Sequence, residues 1–134
     1  MSHQTVITAK LKNLAAIEAA ARELGMAVKH DQHEINSYYR TLGDFPLVLS
    51  HAACRYDIGV VAEHDGTFSL TCDFYRPRGD AQGLGDIVGE NGIKLTVLTG
   101  IHTTTMEMEA EGYTVERQAQ SDGFVQLVVT QYGE

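Results

Sequence analysis

The stretch "YDIGVVAEHDGTFSLTCDFY", residues 56–75, reads as two strands around a turn and decides how the middle of the chain folds. Its Asp-Gly pair is typical of a β-hairpin turn. A two-residue turn would set Val60 opposite Thr71, whereas a three-residue loop at 64–66 sets it opposite Leu70. Only the longer loop gives a uniformly apolar face, and the sequence therefore predicts it.

The same register brings acidic residues together on the other face of this hairpin. It places Asp57 opposite Asp73 and Arg55 opposite Tyr75. Directly opposed β-carbons lie roughly 5 Å apart, where two carboxylates repel unless a proton, a cation or an arginine compensates. A solvated Arg-Asp cluster of little energetic weight is the structural alternative. Candidate ligand-binding residues are therefore Asp57, Asp73, Arg55 and Tyr75, joined by His102 from a later helix.

Upstream of the hairpin, the most regular pattern is a strand followed by a helix. Residues 5–11 alternate and are rich in β-branched side chains, which predicts a first strand. Asn13 is a good helix N-cap, and Gly25 stands where a left-handed residue is wanted after the C-terminus. Apolar residues at spacings of three and four between them predict an amphipathic helix, and a short strand follows it.

The next segments are less regular. Residues 33–46 are predicted to form a loop or edge excursion, in which Tyr38 and Tyr39 are either a contact patch or a lid over a sheet edge. Residues 47–50 are a short apolar run. The glycine-rich segment 79–92 is a poor start for any helix and is interpreted as a flexible loop.

A second helix and a second hairpin complete the pattern. The helix is predicted over about 94–111, and the closing hairpin has a three-residue loop at 121–123 that pairs Val115 with Val129. The inner face of the helix is predicted to consist of Val97, Ile101, Thr104 and Met108.

These elements run in the order β-α-β-β-β-β-α-β-β. They predict a single α+β domain over residues 1–134, a two-layer sandwich in which two helices cover one face of a mostly antiparallel sheet. A chain of 134 residues can bury a core without disulfide or metal staples. It contains no apolar run of the roughly 18 residues that span a bilayer and no signal-peptide pattern, which predicts a cytoplasmic protein.

Composition argues against several functional classes. Ten Lys and Arg stand against 18 Asp and Glu, a net charge of −8, and "RPR" at 76–78 is the one compact basic strip. Because nucleic-acid affinity comes largely from neutralising phosphates, no nucleic-acid partner is expected for this acidic protein.

Motifs for metals, cofactors and catalysis are weak. The two cysteines, Cys54 and Cys72, form no CxxC motif and are interpreted as buried free thiols. The run "GLGDIVG" has its third glycine one position late for a dinucleotide-binding loop. The histidines lack metal-ligand spacing, so no metal or cofactor is predicted. No catalytic triad can be assembled from spacing alone, which leans against an enzyme but leaves the question open.

Taken in order, "YDIG", "DGTFSL", "DFY" and "EGYTVERQAQSDGFVQLVV" resemble the domain-of-unknown-function family typified by the hypothetical chloroplast reading frame 35 proteins, with chloroplast, cyanobacterial and bacterial members. The resemblance covers nearly the whole chain, but segment 79–92 departs from the more continuous amphipathic helix expected there. It implies no catalytic residues and an accessory role beside an AAA-type ATPase. Asp57 and Asp73 fall within two of the matching pieces.

The leading functional hypothesis is a small non-enzymatic adaptor or binding module that acts with a protein partner. The rival is a ligand- or metal-binding domain, or an enzyme, that uses Asp57 and Asp73 on an open sheet face. A third hypothesis is that this uncovered face forms a homodimer interface.

Overall fold

The chain folds as a five-stranded antiparallel sheet, a separate two-stranded ribbon and a layer of helices. The computed structural model describes residues 4–119 and 125–131 and, within them, the side chains from Leu11 onward. The strands of the sheet lie in the order β1-β5-β4-β3-β2, and β6 pairs with β7 in the ribbon. The strands are β1 (Gln4–Leu11), β2 (Ala27–Ile35), β3 (Thr41–Ser50), β4 (Ile58–Ala62), β5 (Phe68–Asp73), β6 (Tyr113–Ala119) and β7 (Val125–Gln131). The helices are α1 (Leu14–Glu23), α2 (Leu84–Val88) and α3 (Ile93–Ala110), with a single 3₁₀ turn at Glu90–Gly92. The predicted α+β class is confirmed.

The β4–β5 hairpin has the register that its apolar pattern predicts. Val60 pairs with Leu70 and Ala62 with Phe68, and the Glu63 N–H donates to the Thr67 carbonyl at 2.8 Å, which leaves a three-residue loop at 64–66. Gly66 in this loop has a φ of 85°, the left-handed conformation that favours glycine. Both strands therefore present their apolar residues to the same side of the sheet.

Helix α1 begins and ends where the sequence predicts. The Asn13 side chain accepts a hydrogen bond of 3.1 Å from the backbone N–H of Ala16, which satisfies one of the free donors of the first turn. Gly25 follows the helix with a φ of 80°. The buried face of the helix consists of Ala16, Ile17, Ala20 and Ala21.

The main core lies between one face of the sheet and the helices. Side chains from the sheet, from α1, from α2 and from α3 belong to a single apolar cluster, and both predicted helices therefore cover the same sheet face. Its fully buried members include Ile17, Leu47, Leu49, Ile58, Val60, Leu70, Cys72, Leu84, Val88 and Leu95.

The predicted loop at 33–46 is wrong, because most of this segment belongs to the β2–β3 hairpin. Strand β2 continues to Ile35 and β3 starts at Thr41. The end of the hairpin folds back over the second face of the sheet, where the ring of Phe45 lies on Gly59: a β-carbon built there would be 2.7 Å from the ring and 3.2 Å from Ile35. Ile35, Phe45 and Val48 are buried as a small second cluster. The expectation of an open second face is therefore wrong at this position.

The glycine-rich segment 79–92 is also more ordered than its composition predicts. It contains α2 and the 3₁₀ turn, and Leu84, Ile87 and Val88 are buried in or at the edge of the main core. The Asp86 carboxylate accepts a hydrogen bond of 3.0 Å from the Gly83 N–H and caps the short helix. Burial of three apolar side chains compensates for the weak helix propensity of the glycines.

Helix α3 has the predicted limits to within a residue, but it presents a different face to the core. Its buried residues are Leu95 and Thr99, whereas Val97 is 51% exposed. The Thr99 hydroxyl donates to the Leu95 carbonyl at 2.8 Å, which satisfies this polar group inside the core. The predicted inner stripe is therefore wrong: Val97 and Thr104 are exposed, and Ile101 and Met108 are half-buried.

The β6–β7 ribbon has the predicted register, with Val115 paired to Val129 and Ala119 to Val125. The loop predicted at 121–123 lies outside the described residues. Within the part of the chain that is described, no helix has the length and apolarity needed to cross a membrane.

Candidate functional site

Asp57 fastens the folded-back β2–β3 hairpin to the start of β4. Its carboxylate accepts a hydrogen bond of 2.9 Å from the Asn36 N–H, and its own N–H donates to the Asn36 carbonyl at 2.9 Å. Burial raises the pKa of the Asp57 carboxyl, while the Asn36 hydrogen bond and the positive charge of Lys29 oppose this rise. We call this two-point contact the Asp57–Asn36 clamp.

Asp73 is buried, with 3% of its surface exposed, so the sheet face that was predicted to be open is covered at this position. One of its carboxylate oxygens accepts a hydrogen bond of 2.9 Å from the Tyr75 N–H, two residues further along. This contact stabilises the turn at the end of β5. The last residue pair of the β4–β5 ladder towards the open end of the hairpin is Gly59 and Thr71, and each aspartate lies two residues beyond this pair. Each aspartate thus binds a different backbone amide.

Arg55 and His102 bind other acids than those predicted. The Arg55 guanidinium contacts the Asp80 carboxylate at 2.7 Å, and the Arg55 N–H donates to the same carboxylate at 2.9 Å. These hydrogen bonds lower the pKa of Asp80. His102 contacts Glu23 at 2.8 Å in the helix layer. The five candidate residues therefore do not form one site: Asp57, Asp73, Arg55 and Tyr75 lie in neighbouring segments, and His102 belongs to a different layer.

A tyrosine patch lies where the folded-back hairpin meets the end of β5. We define it as Tyr38, Tyr39, Tyr56 and Tyr75. The rings of Tyr38 and Tyr39 are edge to face with centroids 4.7 Å apart, and those of Tyr38 and Tyr75 are edge to face at 6.4 Å. Burial raises the pKa of Tyr56, and the charge of buried Asp73 raises it further. The Tyr38–Tyr39 pair is distant from Tyr75 in the sequence, and the folded-back hairpin brings them together.

Arginines tie the segment beside this patch into a fixed corner. Arg76 donates to the carbonyls of Asp80 and Ala81 at 2.8 and 2.9 Å. The Arg55 guanidinium also donates to the Arg78 carbonyl. Residues 74–81 are thereby held by side-chain to backbone hydrogen bonds of charged donors, which are stronger than neutral ones.

An apolar groove runs between α3 and the ribbon on the other side of the molecule. Its volume is about 310 Å³, and it is lined by Leu24, Ile93, Lys94, Val97, Leu98, Ile101 and Val125. Ile93 is 56% exposed. The ribbon is fixed beside α3 by Arg117, which donates to the Glu23 carboxylate at 2.7 and 3.1 Å. The groove exists because the most apolar stripe of α3 faces the ribbon and solvent, contrary to prediction.

The two thiols are free and wholly or partly buried, and two exposed histidines contact acidic residues. Burial, with a smaller contribution from the charge of Asp73, raises the pKa of Cys72 to about 12, as expected of an unreactive core thiol. Cys54 is also free but half-buried, and burial raises its pKa as well. His30 contacts Glu18 at 2.9 Å, and His33 contacts an aspartate of β3 at 3.1 Å. Among the described residues, no three His, Cys, Asp or Glu side chains are grouped to hold a metal ion.

Comparison of the chain with protein-family models, with curated proteins and with solved structures finds no match. The resemblance to the reading frame 35 family therefore stays a prediction.

Proposed function

We propose that this protein is a small non-enzymatic adaptor that binds a partner protein through the apolar groove between α3 and the ribbon. The observation that carries the proposal is the orientation of α3, which leaves more than half of the surface of Ile93 and Val97 exposed. Large exposed apolar patches rimmed by polar residues mark interaction sites on soluble proteins.

The form of the groove suggests what binds there. One wall is helical and carries Ile93, Val97 and Ile101 at spacings of four residues, and Val125 of the ribbon lines the other wall. Leu24 and Leu98 line it as well. An amphipathic helix presents apolar side chains at similar intervals and is the usual ligand of such a groove.

Charge selects among the partners that such a groove accepts. The chain carries a net charge of −8, and exposed Glu90 precedes the stripe on α3, while Lys94 is the one charged residue among the described residues that line the groove. A second copy of the chain would bring the same negative charge to the interface, which disfavours association at low ionic strength. We therefore propose a partner helix from another protein, with basic residues beside its apolar stripe.

The family resemblance adds one candidate for the owner of this helix. It supports an AAA-type ATPase as the partner, in a cytoplasmic setting. The alternative function, a ligand- or metal-binding domain or an enzyme using Asp57 and Asp73, stays a prediction. The contacts described for the two carboxylates are with backbone amides, which favours a structural role.

Affinity capture with matched variants tests the proposal. Val97→Asp places a charge in the groove, and Thr114→Asp places the same charge on the opposite, polar face of the ribbon. We expect the wild type and Thr114→Asp to capture the same protein at native abundance, and Val97→Asp to lose it. Because Val97 is half exposed, all three proteins should melt at similar temperatures in circular dichroism. Capture that is insensitive to Val97→Asp, or the absence of any specific protein, contradicts the proposal.

Light scattering distinguishes a heterologous partner from a second copy. We expect the isolated chain to have the mass of a monomer. A dimer that dissociates on Val97→Asp would assign the groove to self-association and overturn the proposed partner.

A further inference from the structure

We infer that the tyrosine patch, together with the neighbouring arginines Arg55, Arg76 and Arg78, is a second binding surface that takes an acidic peptide segment. This surface is separate from the apolar groove, and it does not depend on the function proposed for that groove. It combines exposed aromatic rings, a fixed backbone beneath them and a layered arrangement of charge.

The aromatic rings are unusually exposed. Tyr39 is 79%, Tyr38 55% and Tyr75 46% exposed, and these three are among the largest exposed apolar side chains described. Tyrosine combines a broad apolar ring with a polar hydroxyl and has few rotatable bonds, so that it loses little entropy when it binds. Tyrosine and arginine are the residue types enriched at the energetic centres of interfaces.

The backbone that presents these rings is fixed by the two aspartates. The Asp57–Asn36 clamp holds the hairpin segment that carries Tyr38 and Tyr39. The Asp73 carboxylate holds the N–H of Tyr75. The two aspartates are therefore positioning residues for this surface. A surface that is ordered before binding loses less free energy when a ligand docks.

Charge is arranged in layers at this end of the molecule. Buried Asp73 and the poorly accessible Asp80 side chain lie below, while most of the Arg55 side chain and the residues Arg76 and Arg78 are exposed. The Nε and Nη2 groups of Arg55 and Arg76 already bind Asp80, Arg78 and Ala81, so their Nη1 groups and the Arg78 guanidinium are the donors left for a ligand carboxylate. The tyrosine hydroxyls add further donors. The exposed groups therefore suit a ligand rich in hydrogen-bond acceptors.

The overall charge favours a short peptide over a nucleic acid. With 18 acidic and ten basic residues in the chain, a phosphate polymer that extended beyond the patch would meet a repulsive surface. A few carboxylates in a peptide would instead lie within reach of the three arginines. The peptide would also offer apolar side chains to the tyrosine rings.

Fluorescence anisotropy with defined probes tests the inference. The first probe is a fluorescein-labelled peptide in which glutamate alternates with glycine and leucine, and the second has lysine in place of each glutamate. We expect the glutamate peptide alone to bind, and we expect Tyr39→Ala and Arg78→Ala each to weaken binding about tenfold. Because both residues are exposed, their truncation should leave the circular dichroism spectrum unchanged. Val97→Asp, in the apolar groove, should bind the peptide as the wild type does.

Three results would overturn the inference. They are the absence of binding to the glutamate peptide, equal binding by wild type and Tyr39→Ala, and a preference for the lysine peptide. Tighter binding of an oligothymidine probe would reassign the surface to single-stranded nucleic acid. A Tyr39→Ala protein that loses peptide binding but still captures the groove partner would support the inference that the two surfaces are separate.

Discussion

Substitution of Gly59 by alanine should loosen the folded-back β2–β3 hairpin. A β-carbon at this position would lie 2.7 Å from two carbons of the Phe45 ring and 3.2 Å from Ile35. The ring would have to retreat by about 0.8 Å to reach an ordinary contact distance near 3.5 Å. Phe45 is buried between the sheet and its own hairpin, so this movement disturbs close packing.

Overpacking of this kind typically costs about 1–3 kcal/mol of unfolding free energy. The removal of a buried phenylalanine ring by Phe45→Ala should cost about 3–5 kcal/mol, still within the stability of roughly 5–15 kcal/mol of an ordinary domain. In the Phe45→Ala background the 2.7 Å contacts with the ring are absent, and only the 3.2 Å contact with Ile35 remains. There Gly59→Ala should be neutral or stabilise by up to about 1 kcal/mol, because alanine loses less backbone entropy than glycine.

Urea denaturation of the four proteins in this double-mutant cycle measures the coupling between the two positions. We expect a coupling energy of at least about 1 kcal/mol, with a change of sign between the two backgrounds. Gly100→Ala is the matched control: its β-carbon would meet no atom within 4 Å, and it should stabilise the exposed side of α3 by about 1 kcal/mol. Additive effects of Gly59→Ala and Phe45→Ala would refute the proposed packing of the hairpin.

Three further predictions concern individual contacts. Asn13→Ala removes the cap of α1 and should lower the free energy of unfolding by about 1 kcal/mol in urea, while Asn13→Asp should retain it. Burial raises the pKa of Asp57, so the ionised carboxylate lowers the free energy of unfolding. This decrease is absent below the unfolded-state pKa and grows as the pH rises through the folded-state pKa. Asp57→Asn should therefore gain stability relative to the wild type as the pH rises, and a gain independent of pH would contradict this. The hydrogen bond from Arg117 lowers the pKa of Glu23, which stabilises the fold above the unfolded-state pKa of 4.5 and is lost as the pH falls. Glu23→Gln should therefore speed amide hydrogen exchange in the ribbon at neutral pH and change it little at acidic pH.

Local patterns were sufficient to predict several elements. The register of the β4–β5 hairpin follows from the alternation around Val60 and Leu70, because a shift by one residue would bury polar side chains. Helix α1 follows from the cap at Asn13 and the left-handed Gly25, both of which act within a single turn of the chain. These predictions succeed because the residues that decide them are neighbours in sequence or in one hairpin.

The fold-back of the β2–β3 hairpin could not be predicted in this way. Residues 33–46 are mostly polar, and their only deeply buried side chains, Ile35 and Phe45, pack against a different hairpin. Gly59 was the available signal, because a glycine inside a strand often marks a close approach of another segment. The grouping of the tyrosines depends on this fold-back and was missed for the same reason.

The face of α3 was predicted incorrectly because two stripes compete. The stripe through Val97 and Ile101 is the more apolar, but Leu95 and Thr99 are the residues buried. Thr99 can be buried because its hydroxyl bonds to the carbonyl one turn earlier. Apolarity alone therefore ranked the two faces in the wrong order, and the exposed stripe became the wall of the apolar groove.

The position of β2 at the edge of the sheet limits how the protein can associate. This strand carries charged and titratable side chains along most of its length, among them Lys29, Asp31 and Glu34, and Asp31 has a φ of 53°. Its pairing with β3 also shifts register between Gln32 and Glu34. Charges and irregularities of this kind keep an edge strand from templating another strand. Concentrated solutions should therefore resist fibre formation along this edge, and a partner that binds at β2 must recognise its side chains rather than extend the sheet.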